Sequence, residues 1–331
     1  MRVRRSCPRA NAVFVRALFV LSGVCVVSAV HADYPERALR FIVSSPPGGA
    51  NDILARTIGQ KLAASFGQQI VIDNRAGAGG IIAAELAAKA APDGHTLLFA
   101  TDSTLTVNPQ LHRNLSYNPE RDFTPITITA VVSSILLAHP ALGVGNVQEL
   151  IALAKSRPGQ IKYASIGNGS AFHLGTELLK SMAGSDMVHV PYKGSALSLS
   201  GMLAGEVQVM FISTPAGLPL VRSGTLRALA ISSARRSPLA ADIPTVAESG
   251  LPGFEFRTTF ATAAPAGTPV SIVRRLNREV VAILGMPDMR EKLAPMGYEI
   301  IASTPQEMAA QMKRESVKWS RVIRESGARA D

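Results

Sequence analysis

Residues 40–52, RFIVSSPPGGAND, carry the pattern that decides the fold. The apolar and β-branched residues from Arg40 to Ser45 predict a strand, and the Pro- and Gly-rich residues 46–51 predict a loop. Apolar side chains then recur at spacings of three and four residues, which predicts a helix with one buried face. These side chains are Ile53, Leu54, Ile58, Leu62 and Phe66. The segment is therefore a strand–loop–helix unit, the building block of a largely parallel sheet.

The same unit recurs along the chain from Asp33 onward. The second unit has a strand at 70–72, a loop at 74–80 and a helix at 81–91, and a third strand at 96–100 opens into the loop 101–104. Further along, one unit has a strand at 161–164, a loop at 165–170 and a helix at 172–183. The next has a strand at 187–190, a loop at 191–194 and a helix that ends at 203. Strands at 207–212 and 226–231 and helices at 147–156, 270–284, 289–294 and 306–326 complete the pattern. This alternation predicts an α/β fold with mainly parallel sheets flanked by helices. The last helix places Met308, Met312, Trp319 and Ile323 along one side, which indicates core packing.

Two segments break this alternation and predict passages between two lobes. Residues 123–138 are almost continuously apolar or β-branched, which is too long for an ordinary strand. Residues 242–269 are rich in Pro, Gly and Thr and have no helical period. We therefore expect a discontinuous first lobe, 33–131 plus 258–331, and a second lobe, 132–257, joined by two crossover strands. Such lobes can close on a hinge around a cleft.

Residues 1–32 have the composition of a secretory signal peptide. Five arginines precede an apolar run from Ala17 to Ala29, which is followed by the small-residue site Val30-His31-Ala32. The run is shorter than the roughly 20 residues that a membrane-spanning helix needs. We expect cleavage near Ala32 and release of the mature protein into the periplasm. A lipid anchor at Cys25 is the alternative, but residues 22–24 do not match the lipoprotein pattern.

Removal of the signal changes the charge and the cysteine content. Five of the 34 Lys and Arg residues are lost and all 24 Asp and Glu residues remain, so the formal charge falls from +10 to +5. Both cysteines, Cys7 and Cys25, are lost as well, which excludes disulfide and thiolate chemistry in the mature protein. The remaining basic residues alternate with acidic ones along the last helix, as on a solvated face. The composition therefore predicts no nucleic-acid partner.

The loops that follow the strands form the candidate site. In open parallel sheets, ligands bind beyond the carboxyl ends of the strands, where loops lead into helix N-termini that favour anions. Any one glycine loop is better explained as a tight turn, but several at the same end of their strands indicate a site for a small carboxylate. The candidate ligand-binding residues are Ser45, Pro47, Gly48, Gly49, Asp52, Ser103, Thr104, Gly167, Gly169, Ser170, His173, Gly194, Ser195 and Ser213.

Some of these residues have a second interpretation. Asp52 could cap its helix instead of touching the ligand, and a lone histidine such as His173 more often packs or orients than acts as a base. Ser170 followed by His173 could make an exported serine hydrolase, but one helical turn would supply both groups and a third partner is not evident. The sequence contains no phosphate-binding loop of the Gly-x-x-x-x-Gly-Lys-Ser/Thr type, no His-Glu-x-x-His zinc motif and no Gly-x-Ser-x-Gly nucleophile motif. We therefore expect no catalytic residues, metal or cofactor.

These residues resemble the Bug family of periplasmic solute-binding proteins, the receptors of tripartite tricarboxylate transporters. The resemblance covers nearly all of the chain after the signal. It rests on Tyr34-Pro35, Pro46 to Gly49 with Asp52 and Ala55-Arg56, Asn74 with Gly77 to Gly80, Gly169-Ser170 with His173-Leu174 and Glu177, His189 to Gly194, Ile243 to Thr245 and Gly250 to Phe254.

The resemblance implies a type II-like periplasmic binding protein fold that holds a ligand carboxylate between its lobes, partly through ordered waters. One side would be lined by Pro47, Gly48, Gly49 and Asp52, and the other by Gly169, Ser170 and Gly194. The implied role is capture of a small carboxylate, by a monomer, for delivery to integral membrane subunits of the transporter. A ligand sensor that acts on a membrane signalling partner is the alternative with the same fold.

Two departures from the family pattern bear on the ligand. Ser44-Ser45 stands where the family commonly shows Pro or Ala followed by an aromatic residue, which predicts a smaller and wetter apolar wall. Ile212-Ser213 stands where members often carry an acidic residue. Loss of that carboxylate argues against a ligand with an ammonium group and favours a polyanion or hydroxy acid.

Overall fold

The computed structural model describes residues 34–329. The predicted signal peptide, its cleavage site and the alternative lipid anchor at Cys25 lie outside these residues. The strands are β1 Leu39–Val43, β2 Ile70–Asn74, β3 Thr96–Thr101, β4 Phe123–Val132, β5 Ser134–Ala138, β6 Lys162–Ser165, β7 Val188–Pro191, β8 Val209–Ser213, β9 Arg227–Ile231, β10 Thr258–Pro265 and β11 Tyr298–Ile300. The α-helices are α1 Ala50–Phe66, α2 Ile81–Ala88, α3 Asn108–Leu111, α4 Pro119–Asp122, α5 Val147–Ser156, α6 Ala171–Ala183, α7 Ser195–Leu203, α8 Thr214–Arg222, α9 Val270–Leu284, α10 Pro287–Leu293 and α11 Pro305–Ser326. A π-helical turn, Ser103–Val107, leads into α3.

The strands form two sheets. The first has the order β11-β4-β10-β3-β1-β2, and the second has the order β7-β6-β8-β5-β9. β1 pairs in parallel with β2 and β3, and β6 pairs in parallel with β7 and β8. The predicted α/β fold with two helix-flanked sheets is therefore confirmed.

The expectation of mainly parallel sheets is corrected, because both sheets are mixed. β10 pairs antiparallel with β3 and β4, and β11 pairs antiparallel with β4. In the second sheet β5 pairs antiparallel with β8 and β9. Two neighbouring parallel strands need a crossover connection between them, usually a helix. The strands β4, β5 and β10 belong instead to the passages between the sheets, and they pair antiparallel with their neighbours.

The segment 123–138 is the outward passage between the sheets. β4 lies in the first sheet, β5 lies in the second, and Ser133 alone separates them. The chain returns through residues 232–257 after β9 and re-enters the first sheet as β10. The assignment of residues to lobes at 131/132 and 257/258 stays a prediction.

Both faces of the sheets are covered by apolar side chains of the helices. On one face of the first sheet, the stacked rings of Phe41 and Phe99 pack with side chains of α1 and α9. The helix α11 connects the two cores: Met308 packs with the first sheet, and Trp319 and Ile323 pack with the second. Within residues 34–329, no helix combines the length and the apolarity needed to cross a membrane.

Candidate functional site

One cavity of about 500 Å³ lies where loops of both sheets meet. Its walls come from the loops after β1, β2 and β3 of the first sheet and from the loop after β6 of the second. The lining residues are 44–46, 76–80, 101, 103, 108, 111, 112 and 166–170. The strand-end loops singled out from the sequence therefore share a cavity instead of lying on separate surfaces.

The first wall is the loop that follows β1. Asn51 Nδ2 donates to Phe99 O at 2.8 Å and to Ser44 Oγ at 3.2 Å, which fixes Ser44 at the end of its strand. Gly49 N donates to Pro46 O at 3.1 Å and closes the turn. The buried Ser45 Oγ has no hydrogen-bond partner among the described residues. A buried hydroxyl without a partner calls for an explanation, and this one belongs to a residue that lines the cavity.

Asp52 anchors this loop from inside the protein. Its carboxylate accepts hydrogen bonds from Gly48 N at 2.9 Å, Asn74 Nδ2 at 2.8 Å and Arg56 Nε at 2.9 Å. Burial by itself would raise the pKa of Asp52, but the hydrogen bonds from Arg56, Gly48 and Asn74 outweigh it and lower the pKa. The N-cap of α1 is Gly49 and has no side-chain hydrogen bond, so Asp52 holds the loop before the helix instead of capping the helix itself. Whether Asp52 also contacts a ligand stays a prediction.

The second part of the first wall is the turn 77–80. Gly79 O accepts hydrogen bonds from Asn108 Nδ2 at 3.0 Å and from Thr104 Oγ1 at 3.2 Å. Gly80 has φ of 91°, and a β-carbon there would collide with Thr104 Oγ1. The turn therefore packs directly on the segment that follows β3, which brings Ser103 and Asn108 to the cavity.

The opposite wall is the loop 166–170 between β6 and α6. Ser170 is the N-cap of α6, because its Oγ accepts from the His173 backbone N–H at 3.3 Å. Gly169 N donates to His173 Nδ1 at 3.0 Å. Burial, followed by the charge of Lys180, lowers the pKa of His173 to about 4, so the ring is neutral at neutral pH.

The structure brings some of the predicted site residues to the cavity and leaves others outside it. The lining includes Ser45, Ser103, Gly167, Gly169 and Ser170. Behind the walls lie the buried side chains of Asp52, Thr104 and His173, while Pro47, Gly48 and Gly49 form the outer part of the first loop. Gly194 and Ser195 lie at the start of α7 and Ser213 precedes α8, and none of the three is among the lining residues. The part of each residue in ligand binding stays a prediction.

Sequence reasoning missed several residues that line the cavity. Asn108, Leu111 and His112 arrive through the π-helical turn after β3, and their order in the sequence carries no helix or strand period that would reveal this path. Ile166 and Asn168 belong to a loop that was recognised, although they were not singled out. Only the three-dimensional path of the chain after β3 identifies the first group.

Two larger cavities lie elsewhere. One of about 750 Å³ is built from residues 105–125 and from α11, and its basic side chains Arg113, Arg121 and Lys313 are exposed. The other, of about 620 Å³, lies beside Ser133, and its Arg257 already pairs with Glu255 at 3.1 Å. Neither is lined by the glycine loops at the strand ends, so the cavity described above is the candidate site.

Comparison with known proteins identifies the family. A family model described as the tripartite tricarboxylate transporter family receptor, TctC, matches residues 54–328. Protein BugT of Bordetella pertussis is 38% identical over 319 residues, which cover 94% of this chain and 98% of BugT. A UPF0065 protein encoded in the tcbD-tcbE intergenic region of Pseudomonas sp. (strain P51) is 38% identical over 291 residues, covering 88% of this chain and 86% of that protein.

Solved structures agree with this result. Rpa4515 of R. palustris with adipate aligns with a TM-score of 0.79 and 38% identity, covering 90% of this chain and 99% of that one. MatC from Rhodopseudomonas palustris with bound malate aligns with a TM-score of 0.75 and 32% identity, covering 88% and 100%. The periplasmic binding protein BugD aligns with a TM-score of 0.75 and 30% identity, covering 89% and 99%. The chain therefore belongs to the tripartite tricarboxylate transporter receptor family, the Bug-type periplasmic solute-binding receptors.

Proposed function

We propose that this receptor captures a small di- or tricarboxylate, or a related hydroxy acid, in the cavity between the loops of its two sheets. The observation that carries the proposal is the convergence of four strand-end loops, three from one sheet and one from the other, on a single cavity of about 500 Å³. A cavity of this size is typical of small-molecule sites, which range over about 300–1,000 Å³.

The chemistry of the lining suits a carboxylate held by neutral groups. The described residues that line the cavity contribute the side-chain groups of Ser103, Asn168 and Ser170 and the imidazole of His112, and none of them is Lys, Arg, Asp or Glu. An anion in this cavity would be bound by hydrogen-bond donors and bridging waters instead of an ion pair with Lys or Arg. The adipate and malate in the related structures are small dicarboxylates, which supports the same ligand class here.

The structure also bears on the hydrolase alternative. Ser170 Oγ accepts a hydrogen bond from the His173 backbone, and His173 Nδ1 accepts one from Gly169 N–H. The ring nitrogen nearest the loop is thus engaged with the backbone, which leaves it unable to take a proton from Ser170. We infer that the protein is a receptor without catalytic activity.

Export and partners follow from the same proposal. We infer that the signal peptide is cleaved near Ala32 and that a monomeric mature receptor delivers its ligand to integral membrane subunits of a tripartite transporter. N-terminal sequencing of the exported protein should begin at Asp33. In a deletion strain, loss of carboxylate uptake would support the transport role, whereas normal uptake with altered gene expression would support the sensor alternative.

Calorimetry tests the ligand class directly. The purified mature protein is titrated with malate, adipate and citrate, with glutamate as an ammonium-bearing acid and adipamide as the uncharged analogue of adipate. We expect binding of at least one of the first three acids, weaker binding of glutamate and no heat with adipamide. An absence of binding to every carboxylate, or tighter binding of adipamide than of adipate, would contradict the proposal.

A further inference from the structure

A stack of three aromatic rings supports the loop 166–170. β6 and β7 pair in parallel with Tyr163 opposite His189, and α6 adds His173 to the same cluster. The centroids of the His173 and His189 rings lie 3.9 Å apart, and the rings are 8° from parallel. The Tyr163 ring stacks on His189 at 4.9 Å. Neither histidine lines the cavity, so an effect on a ligand would pass through the loop.

His173 fixes one end of the loop. The hydrogen bond from Gly169 N to His173 Nδ1 requires a lone pair on Nδ1, so this ring is neutral and carries its proton on Nε2. The backbone N–H of the same residue donates to Ser170 Oγ, which completes the N-cap of α6. A single residue thus holds both Gly169 and Ser170.

His189 fixes the other end of the loop through Ser165. Ser165 Oγ lies 2.6 Å from His189 Nε2, accepts from Gly167 N at 3.1 Å and donates to Gly167 O at 3.0 Å. All three contacts are satisfied when His189 donates from Nε2, because the serine hydrogen is then free for the Gly167 carbonyl. The two stacked rings therefore determine the backbone at both ends of the segment 167–169.

The surroundings keep both rings neutral. Burial, followed by His173, lowers the pKa of His189 to about 4, as burial does for His173 itself. The charged groups that face the pair are Glu177 and Lys180 of α6, which pair with each other at 2.8 Å, and Glu177 also accepts from the Tyr163 hydroxyl. Protonation of both rings would place two positive charges in contact and would remove the acceptor for Gly169 N–H.

We propose that His173 and His189 are positioning residues of the ligand site: together they hold the segment 167–169 in the backbone conformation that the ligand requires. The backbone N–H groups of Gly167 and Gly169 donate within this network and are therefore not available to a ligand, whereas the side chains of Asn168 and Ser170 belong to lining residues. This inference rests on the proposed function, because it places the ligand in the same cavity.

Variants at position 173 distinguish the effect of the hydrogen bond to Gly169 from the effect of side-chain volume. His173→Asn keeps an acceptor close to the place of Nδ1 and does not titrate, whereas His173→Leu fills similar space without an acceptor. In calorimetry at pH 7 with malate and adipate, we expect His173→Leu to bind at least about tenfold more weakly, as the loss of a buried hydrogen bond implies. His173→Asn should stay within about threefold of the wild-type affinity. At position 189, His189→Gln keeps a donor close to the place of Nε2 and His189→Leu removes it, so the same comparison applies there.

The pH profile is a second readout. With the same ligand in both proteins, the wild-type affinity should fall more steeply than that of His173→Asn as the pH falls towards 4. Titration of the ligand affects both proteins equally and cancels in the comparison. Parallel profiles, or wild-type affinity in His173→Leu, would overturn the inference.

Amide hydrogen exchange of the ligand-free protein distinguishes this inference from the proposed function. The Gly169 amide should exchange at least about tenfold faster in His173→Leu than in His173→Asn, because loss of its hydrogen-bond acceptor lowers the free energy needed to open this amide for exchange. Equal exchange rates would refute the positioning role whatever ligand is bound. A clear difference in exchange together with no carboxylate binding in the wild type would instead refute the proposed function.

Discussion

Leu111 lies directly against Gly169, so closely that a β-carbon at position 169 would collide with Leu111 Cδ1. Leu111 ends α3, in the segment that follows β3 of the first sheet, whereas Gly169 belongs to the loop after β6 of the second. The two walls of the cavity therefore touch at this point. Gly169 also has φ of 72°, a conformation that residues with a β-carbon rarely adopt. Both constraints require glycine here.

Replacement of Gly169 by alanine should push the two walls apart. We expect Gly169→Ala to weaken carboxylate binding by about tenfold or more, because a loss of about 1.4 kcal/mol of binding free energy lowers the affinity tenfold. Calorimetry with malate and adipate measures the change. The double variant Gly169→Ala/Leu111→Ala should recover part of the lost affinity, because it restores space for the β-carbon.

The control for Gly169→Ala is Gly184→Ala at the other end of α6. Gly184 has φ of 59°, similar to that of Gly169, but a β-carbon there would meet nothing within 4 Å. The control therefore carries the backbone strain without the collision, and its ligand affinity should equal that of the wild type. Equal losses in the two variants would show that strain, and not the contact with Leu111, explains the effect.

Ser45 offers a hydroxyl that the protein itself does not use. Because Ser45 Oγ is buried without a partner among the described residues, Ser45→Ala should leave the free energy of unfolding nearly unchanged. If the hydroxyl donates to the ligand or to a bridging water, affinity should fall by about 1 kcal/mol, or roughly fivefold. The exposed Ser200, whose Oγ donates to Ala196 O, is the matched control. Wild-type affinity in Ser45→Ala would remove Ser45 from the site.

Much of the fold could be predicted from local patterns. The helices 147–156 and 270–284 have the predicted bounds, because each carries a continuous apolar stripe on one face. The antiparallel pairing of β4, β5 and β10 could not be predicted in this way. Pairing direction depends on how the chain arrives at its neighbour, and no property of the strand itself records it.

The helix α8 was missed because its sequence resembles a loop. Pro215 is tolerated in the first turn, but Gly217 and Pro219 interrupt the helical pattern further along. The structure gives the reason for Gly217, since a β-carbon there would lie 2.6 Å from Ile135 Cγ2 of β5. Close packing on the second sheet thus overrides local propensity.

The sequence predicted that glycine-rich loops form the candidate site, but it could not predict which of these loops line the cavity. The loops after β1 and β6 follow parallel strands, whose carboxyl ends meet at one edge, and they share the cavity. Gly194 follows β7, the neighbour of β6 in the second sheet, but it is not among the residues that line the cavity. The loop after β2, which is also an edge strand, does line the cavity, so the path of each loop in three dimensions decides which loops reach the site, and the sequence pattern does not record that path.

Asp52 should contribute to stability in a way that depends on pH. Its folded pKa lies below the ordinary value of 3.8, so its stabilising effect is complete above that pH and is lost as the pH falls through the folded pKa. Asp52→Asn should lower the free energy of unfolding by about 1–3 kcal/mol at pH 7, because it disturbs buried hydrogen bonds. Urea denaturation at pH 7 and pH 3 should show the difference shrinking in acid. Asp288→Asn, which breaks an exposed pair with Lys61, should change little at either pH.

Asp102 has the opposite electrostatic character. Asp102 is buried directly after β3, and its Oδ1 has no hydrogen-bond partner among the described residues. Burial, followed by the nearby charge of Glu315 on α11, raises its pKa to about 7. The backbone N–H groups of Thr259 and Ser103 donate to the carboxyl, which opposes the rise in its pKa. Because the folded state holds this proton more tightly than the unfolded chain does, ionisation opposes folding. The cost begins above the ordinary value of 3.8 and is complete only above about 7.

Asp102→Asn should therefore stabilise the protein at high pH and have little effect in acid. We expect the variant to gain on the order of 2 kcal/mol relative to the wild type at pH 8, and much less at pH 4.5, because the neutral amide removes the cost of ionisation. Urea denaturation across this range gives both values. Asp186→Asn, at an exposed carboxylate near Lys180, provides the control with no pH-dependent gain of this sign. A gain that is constant from pH 4.5 to pH 8 would mean that Asp102 does not change its protonation state on unfolding, and a loss at pH 8 would mean that its charge is stabilised by groups of the folded protein.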